Sequence, residues 1–248
     1  MYRFFLRPEN IKDGHVLFGE DDARHILRVL RLGVGDRLIA INPAGFEYIV
    51  EISLVSRGRV LAKIVSERAV NTEPPIEVTI IQGLPKGDKM AAIIQKSTEL
   101  GAIRFVPVAT ERSVVRLAGE RAESRAERWQ RIAQEAAEQS RRVFTPVVEP
   151  VRTWAEACEE AARADLAVVA WEEEGQVGLK NVLRTRRQAR KIAVFVGPEG
   201  GLTADEVELA REKGAWPVTL GPRILRTETA APAMVAMILY ELGDLGGF

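Results

Sequence analysis

The sequence predicts an α/β protein in which a small β-rich region precedes a larger domain built on a mostly parallel sheet. Over residues 1–70, short apolar or alternating runs are separated by turn residues, the pattern of a small antiparallel sheet or barrel. From Ile76 onward, continuous apolar runs alternate with helical patterns, which is how strands covered on both faces read. Between the two, Asn-Thr-Glu-Pro-Pro at 71–75 suits neither pattern, because its prolines lack the N–H that helices and ladders use. The expected domains are therefore 1–70 and 76–248, joined by a linker at 71–75.

In the first region the strands expected are HVLF, DRLIAI, EYIVEISLV and RVLAKIV, with turns at Gly33–Gly35, Asn42-Pro43 and Arg57-Gly58. One helix interrupts them, at EDDARHILRVLRLG. Ala23, Ile26, Leu27 and Leu30 recur at i, i+3, i+4, i+7 and would face the core. Arg24, Arg28 and Arg31 then form a basic stripe opposite, with Gly33 as the C-terminal cap.

In the second region the strands expected are EVTIIQGL, RFVPVAT, DLAVVAW, KIAVFVG and WPVTLG. Helices fall between them: DKMAAIIQKSTELG, a long one from Ser124 to about Arg142, TWAEACEEAARA, TADEVELAREKG and a final APAMVAMILYEL. Ser124 with Glu127, and Thr203 with Glu206, fit the reciprocal capping pattern at a helix start. The last helix is apolar nearly all round and must be buried, in the core or against a partner.

Composition narrows the chemistry. The 248 residues are 46% hydrophobic and 28% charged, which is ordinary for a globular chain with a sizeable core. No apolar run is long enough to span a bilayer, and MYRFFLRPEN lacks the features of a signal peptide, so a cytoplasmic location is expected. One cysteine, Cys158, and two histidines, His15 and His25, make a disulfide or a clustered metal site improbable, and metal-free chemistry is expected. Lys plus Arg and Asp plus Glu both total 35. That balance argues against bulk attraction to nucleic acid but leaves local patches, including Arg141-Arg142 and LRTRRQARK at 183–191.

The turns that follow three of the expected strands carry the functional signal. Ligands collect at the C-terminal ends of strands in an open parallel sheet. GPEGG at 197–201 lies at such an end, Gly221-Pro222 at a second, and the acidic Glu172-Glu173-Glu174 at a third. The dinucleotide fingerprint GxGxxG and the phosphate loop GxxxxGK[ST] are both missing from these turns. Spacing alone leaves the ligand unidentified.

VGPEGGL followed by LGPRILRTETA resembles the C-terminal signature of the bacterial family that methylates N3 of a uridine in small-subunit ribosomal RNA, within the SPOUT class of S-adenosylmethionine-dependent methyltransferases. The resemblance extends to IIQKSTELGA at 93–102, the RW..I..EAAEQSRR pattern at 128–142, H-x-x-x-VLR at 25–31 and RFFL at 3–6, so it covers the chain in order. It implies a PUA-like β-barrel that helps bind RNA, then a SPOUT α/β domain with a trefoil knot. It further implies a homodimer acting on 16S ribosomal RNA or the small subunit, with S-adenosyl-L-methionine as methyl donor.

Residue by residue, the resemblance places the donor against three clasps: Trp171 and Glu172; Val196, Gly197, Pro198, Glu199, Gly200 and Gly201; and Leu220, Gly221, Ile224, Leu225 and Arg226. Arg226 and Glu228 are the candidate catalytic residues, arginine to stabilise charge on the base and glutamate as proton acceptor; arginine itself stays protonated. RNA would meet Arg3, Arg7, His25, Arg28 and Arg31 of the barrel, and Lys96, Arg142 and Arg223 of the larger domain. Two alternatives remain open: a SPOUT enzyme acting on another RNA or on ribose 2′-oxygen, and a non-catalytic RNA-binding ribosome assembly factor.

Overall fold

A computed structural model describes residues 1–42, 44–56, 58–113 and 120–247. Pro43 and Arg57, in two of the expected turns, lie outside the described residues. The chain divides into two compact units: Met1–Glu73 with Ala137–Thr145, and Pro74–Ala136 with Pro146–Phe248.

In the first unit, strands β1 (Arg3–Phe5), β2 (Ile11–Lys12), β3 (His15–Phe18), β4 (Arg37–Asn42), β5 (Phe46–Ser56) and β6 (Arg59–Ala69) form one curled sheet. Its order is β1-β4-β5-β6-β3-β2. It is antiparallel except where β1 runs parallel to β4, a pairing the alternating runs did not signal. The long β5–β6 pair shifts register between Ile49 and Val50 and again between Ile52 and Leu54. Such irregularities bend and twist a ribbon, which lets one face wrap around Phe4, Phe18, Leu38, Val50 and Val60.

The helix expected in this unit is split into α1 (Glu20–Arg24) and a π-helical turn over His25–Val29. Ala23 and Ile26 are buried, while Arg24, Arg28 and Arg31 stand exposed. Gly33 is not its cap. The left-handed residue is Arg31 (φ 56°), and Leu32 N–H reaches back to Ile26 O at 3.0 Å.

The second unit contains β7 (Glu77–Gly83), α2 (Lys89–Leu100), β8 (Arg104–Ala109), α3 (Glu120–Gln139, whose last turn belongs to the first unit), β9 (Val147–Val148) and β10 (Arg152–Thr153). There follow α4 (Trp154–Ala161), β11 (Leu166–Ala170), α5 (Leu179–Thr185), β12 (Lys191–Val196), α6 (Ala204–Glu212), β13 (Trp216–Val218) and α7 (Thr227–Leu242). The strands pair in parallel throughout, in the order β10-β8-β7-β12-β11-β13, with β9 beside β8. Alternate residues feed two cores. Val78, Ile80, Val168 and Val194 join Met90, Ile93, Met234 and Ile238 on one face. Ile81, Val169 and Phe195 join Trp154, Ala157 and Val207 on the other.

Several boundaries differ from expectation for identifiable reasons. Helix α3 begins at Glu120, so Ser124 lies inside it and does not cap it; it ends at Gln139, before Arg142. Thr203 caps α6 with Glu206 as expected, and Thr153 with Glu156 does the same for α4. The buried stripe of α2 is Met90, Ile93, Ile94, Ser97 and Thr98, with Leu100 half-buried at its end. Helix α5 runs into the start of the basic stretch: its Leu179, Val182 and Leu183 are buried, while Arg184 is exposed.

Candidate functional site

The C-terminal ends of β11, β12 and β13 open onto one cleft of about 790 Å³, within the range of small-molecule sites. Its walls are the turn after β11 (Ala170–Glu172, Glu174, Gly175), the glycine turn after β12 (Gly197–Glu199, Gly201, Leu202) and the segment Thr219–Glu228 that leads from β13 into α7. Backbone bonds hold the walls in register. Thr219 N–H donates to Val177 O at 2.8 Å, and Leu179 N–H to Thr219 O at 3.2 Å.

A buried polar clasp sets the position of the glycine turn. Thr227 Oγ1 donates to Gly197 O at 2.7 Å. Gln82, fully buried at the end of β7, donates through Nε2 to Thr227 Oγ1 at 2.9 Å and lies 3.2 Å from Gly197 O. The polar Gln82 directly after the apolar Ile80-Ile81 pair of β7 was the one signal in the sequence for this clasp, and sequence reasoning missed it.

Glycine is required here by close packing. A Cβ on Gly83 would come within 2.7 Å of Pro198 Cδ, so the proline can cover the end of β7 only if residue 83 is bare. At Gly201 (φ 71°), a Cβ would meet the Glu172 carboxylate at 2.6 Å. Gly200 is not among the residues lining the cleft, and a Cβ there would approach Arg112 Cβ at 3.1 Å. Arg112 in turn donates to Gly200 O at 3.0 Å, bracing the turn from outside.

Charge in the cleft is mostly acidic and mostly engaged. Glu174 accepts from the N–H groups of Gln176 (2.8 Å) and Val177 (2.9 Å), which hold its carboxyl below the usual range. Burial pushes the Glu199 carboxyl up, but the bonds from Lys89 and Lys86 N–H outweigh that and leave it lowered. Lys89, which sequence reasoning passed over, also faces Glu228 at 3.5 Å. Arg223, Arg226 and Ile224 are exposed at the rim, Ile224 to 86%.

The structure therefore gathers Trp171, Glu172, Val196, Gly197, Pro198, Glu199, Gly201, Leu220, Gly221, Ile224, Leu225, Arg226 and Glu228 around one cavity. The expected RNA set divides. Arg7, His25, Arg28, Arg31, Lys96 and Arg223 are exposed. Arg142 is not a surface residue: it is 3% exposed and held by Glu73, which also accepts from Val143 and Phe144 N–H. Arg3 is also tied down, its side chain 11% exposed and 2.6 Å from Glu47. No cluster of potential metal ligands occurs among the described residues.

The cleft suits an S-adenosyl nucleoside in its chemistry. Leu202, Val218, Leu220, Leu225 and Ala230 offer apolar surface for a flat base, the strand ends offer backbone groups for its edge, and Glu172 and Glu228 offer carboxylates to a ribose or a cation.

Fold and site together define the class: a two-unit protein with an α/β ligand-binding domain of the RNA methyltransferase kind. The RNA methyltransferase domain family matches residues 72–239, and the RNA methyltransferase PUA domain matches residues 18–65. The chain belongs to the family of ribosomal RNA small subunit methyltransferase E. The Bacillus subtilis protein of that name is 40% identical over 255 residues, spanning 100% of this chain and 99% of the relative. A Neisseria gonorrhoeae protein of that name, solved bound to S-adenosyl methionine, is 35% identical, with a TM-score of 0.87 over 99% of both chains. A Legionella pneumophila protein described as a methyltransferase, solved with SAM, is 29% identical with a TM-score of 0.90 over 98% of this chain and 99% of its own.

Proposed function

We propose that this protein transfers a methyl group from S-adenosyl-L-methionine to N3 of a uridine in 16S ribosomal RNA, in the cytoplasm. The observation that carries the reading is the cleft at three strand ends, lined by every residue that the family signature marks for the donor except Gly200. When bound, the donor supplies an electrophilic methyl group whose leaving sulfur keeps the bonding pair.

The chain's own residues have the remaining tasks. The Gly197–Gly201 turn, fixed by Gln82 and Thr227, and the Leu220–Leu225 segment hold and orient the donor. Orientation of this kind accounts for much of the barrier reduction in a transfer between two bound partners. Glu228 accepts the N3 proton at the cleft wall. Arg226 and Arg223, on the exposed rim, face the negative charge that spreads to the uracil oxygens or an adjoining phosphate. Arg7, His25, Arg28 and Arg31 offer a basic surface to RNA.

A homodimer is part of this reading. Helix α7 buries Ala231, Met234, Val235, Ile238 and Leu239, yet presents Met237 (37% exposed) and Tyr240 (71%) outward. A second copy would cover that apolar face.

Isothermal titration tests the donor first: saturable binding of S-adenosylmethionine, with none of NADH or ATP, is expected. Mass mapping of the RNA product should then place the methyl group on a uridine N3. A folded protein that binds no donor would leave the turns as scaffolding and favour an RNA-binding assembly factor.

A further inference from the structure

The cleft contains a cation without a task so far. Lys89 stands at the first position of α2, with its Nζ 2.9 Å from Glu199 Oε1 and 3.5 Å from Glu228 Oε2. The two carboxylates differ in their surroundings. Glu199 is saturated, its oxygens accepting Lys86 N–H at 3.0 and 3.2 Å as well as the ammonium. Glu228 Oε2 is closed off from solvent and has no hydrogen-bond partner among the described residues. Lys89 is its ion-pair partner, so Glu199 fixes where the ammonium sits and the ammonium faces Glu228.

We infer that Lys89 is a positioning residue: anchored by Glu199, it holds the Glu228 carboxylate in one place and one orientation at the cleft wall. The remaining charged groups of the lining do not replace it. Glu174 is spent on backbone N–H groups, Glu172 lies against Gly201, and Arg223 and Arg226 project from the exposed rim. One oxygen of Glu228 is out of water and short of a hydrogen bond, yet the side chain is 24% exposed at the cleft wall, where the N3–H of the bound base reaches it. The N3–H pair then becomes the bond to the methyl carbon, and the proton passes to Glu228 and on to solvent.

The task given to Glu228 rests on the methyl-transfer reading; its contact with Lys89 does not. Lys89 titrates above an ordinary lysine, chiefly through its hydrogen bond to Glu199 and with a further contribution from Glu228. In the protein without donor or RNA, nuclear magnetic resonance of the Lys89 side chain should therefore show its titration midpoint falling in Glu228→Gln. An unchanged midpoint would overturn the contact, whatever the enzyme does to RNA.

In the complete reaction, Lys89→Gln should lower kcat by about 10–100-fold while leaving donor Kd and RNA KM within about twofold, and Lys89→Arg should recover most of the loss. A donor Kd weakened tenfold or more with kcat intact would make Lys89 a ligand contact and defeat the proposal. Should Lys89→Gln fold poorly by thermal unfolding, the Glu228→Gln titration decides alone. A wild-type protein that methylates no RNA would sink the functional reading and leave the titration result standing.

Discussion

Arg112 shows how much a single side chain outside the cleft can control. It braces Gly200 O at 3.0 Å and lies against the position a Gly200 side chain would need. Arg112→Ala should weaken donor binding about tenfold, roughly 1.4 kcal/mol, by freeing the glycine turn, with little change in melting temperature. Calorimetric titration of the variant checks this. Cys158 is the opposite case: a reactive residue type kept inert. Burial, aided by the nearby Glu206 charge, pushes its thiol up to about 12, so almost no thiolate exists at neutral pH. Native protein should resist iodoacetamide at pH 8, and the same cysteine should be alkylated once the chain is unfolded in urea.

At the scale of elements, the ends of the α/β sheet depend on ion pairs between neighbouring strands and helices. Arg104 of β8 bonds Glu149 at 2.9 Å and also meets Glu160 of α4; Arg152 of β10 bonds the same two glutamates. Burial pushes the Glu149 carboxyl up, but the bonds from Arg104 and Arg152 prevail and hold it lowered. A carboxyl lower in the folded than in the unfolded state stabilises above its unfolded pKa, near 4.3, and that contribution is lost as pH falls through the folded value. Glu149→Gln should therefore cost about 1 kcal/mol at pH 7, the gap to wild type closing below about pH 4, as urea unfolding at the two pH values would show.

Elements were also where the sequence was most legible, and unevenly so. Strands β7, β8, β11 and β12 are buried on both faces, so their apolar runs announce them. Thr203 and Glu206 are three residues apart, and a local rule finds them. Gln82 meets Thr227 across 145 positions, Lys89 meets Glu199 across 110, and Arg142 meets Glu73 across 69. No periodicity reports such pairs. Arg142 accordingly read as one half of an exposed dibasic step when it is the buried half of an ion pair. The glycine turns were found as a pattern, but which atoms require each glycine emerged only from Pro198, Glu172 and Arg112.

Over the whole molecule, the proposed function divides the labour between the two units, and substitutions should separate it. Arg28→Glu with Arg31→Glu alters exposed residues of the first unit and touches nothing in the cleft. RNA affinity should fall and its dependence on salt should flatten by roughly 0.7–0.9 in log–log slope per lost phosphate contact, while donor affinity stays as in wild type. Filter binding across a salt series measures the first and calorimetry the second. Met237→Glu with Tyr240→Lys charges the outward face of α7, which the proposed homodimer would cover, and should leave a monomer by analytical ultracentrifugation where the parent protein sediments as a dimer.

Helix α7 is the last element of the fold, and Thr227 at its start supplies the hydroxyl that ties Gly197 in place, with Arg226 and Glu228 beside it in the cleft wall. The strands and turns that precede it in the chain therefore form no closed cleft until this segment is added. In the proposed function, a chain cut before Thr227 lacks the hydroxyl that ties Gly197, so it should bind no donor and be inert instead of half-active.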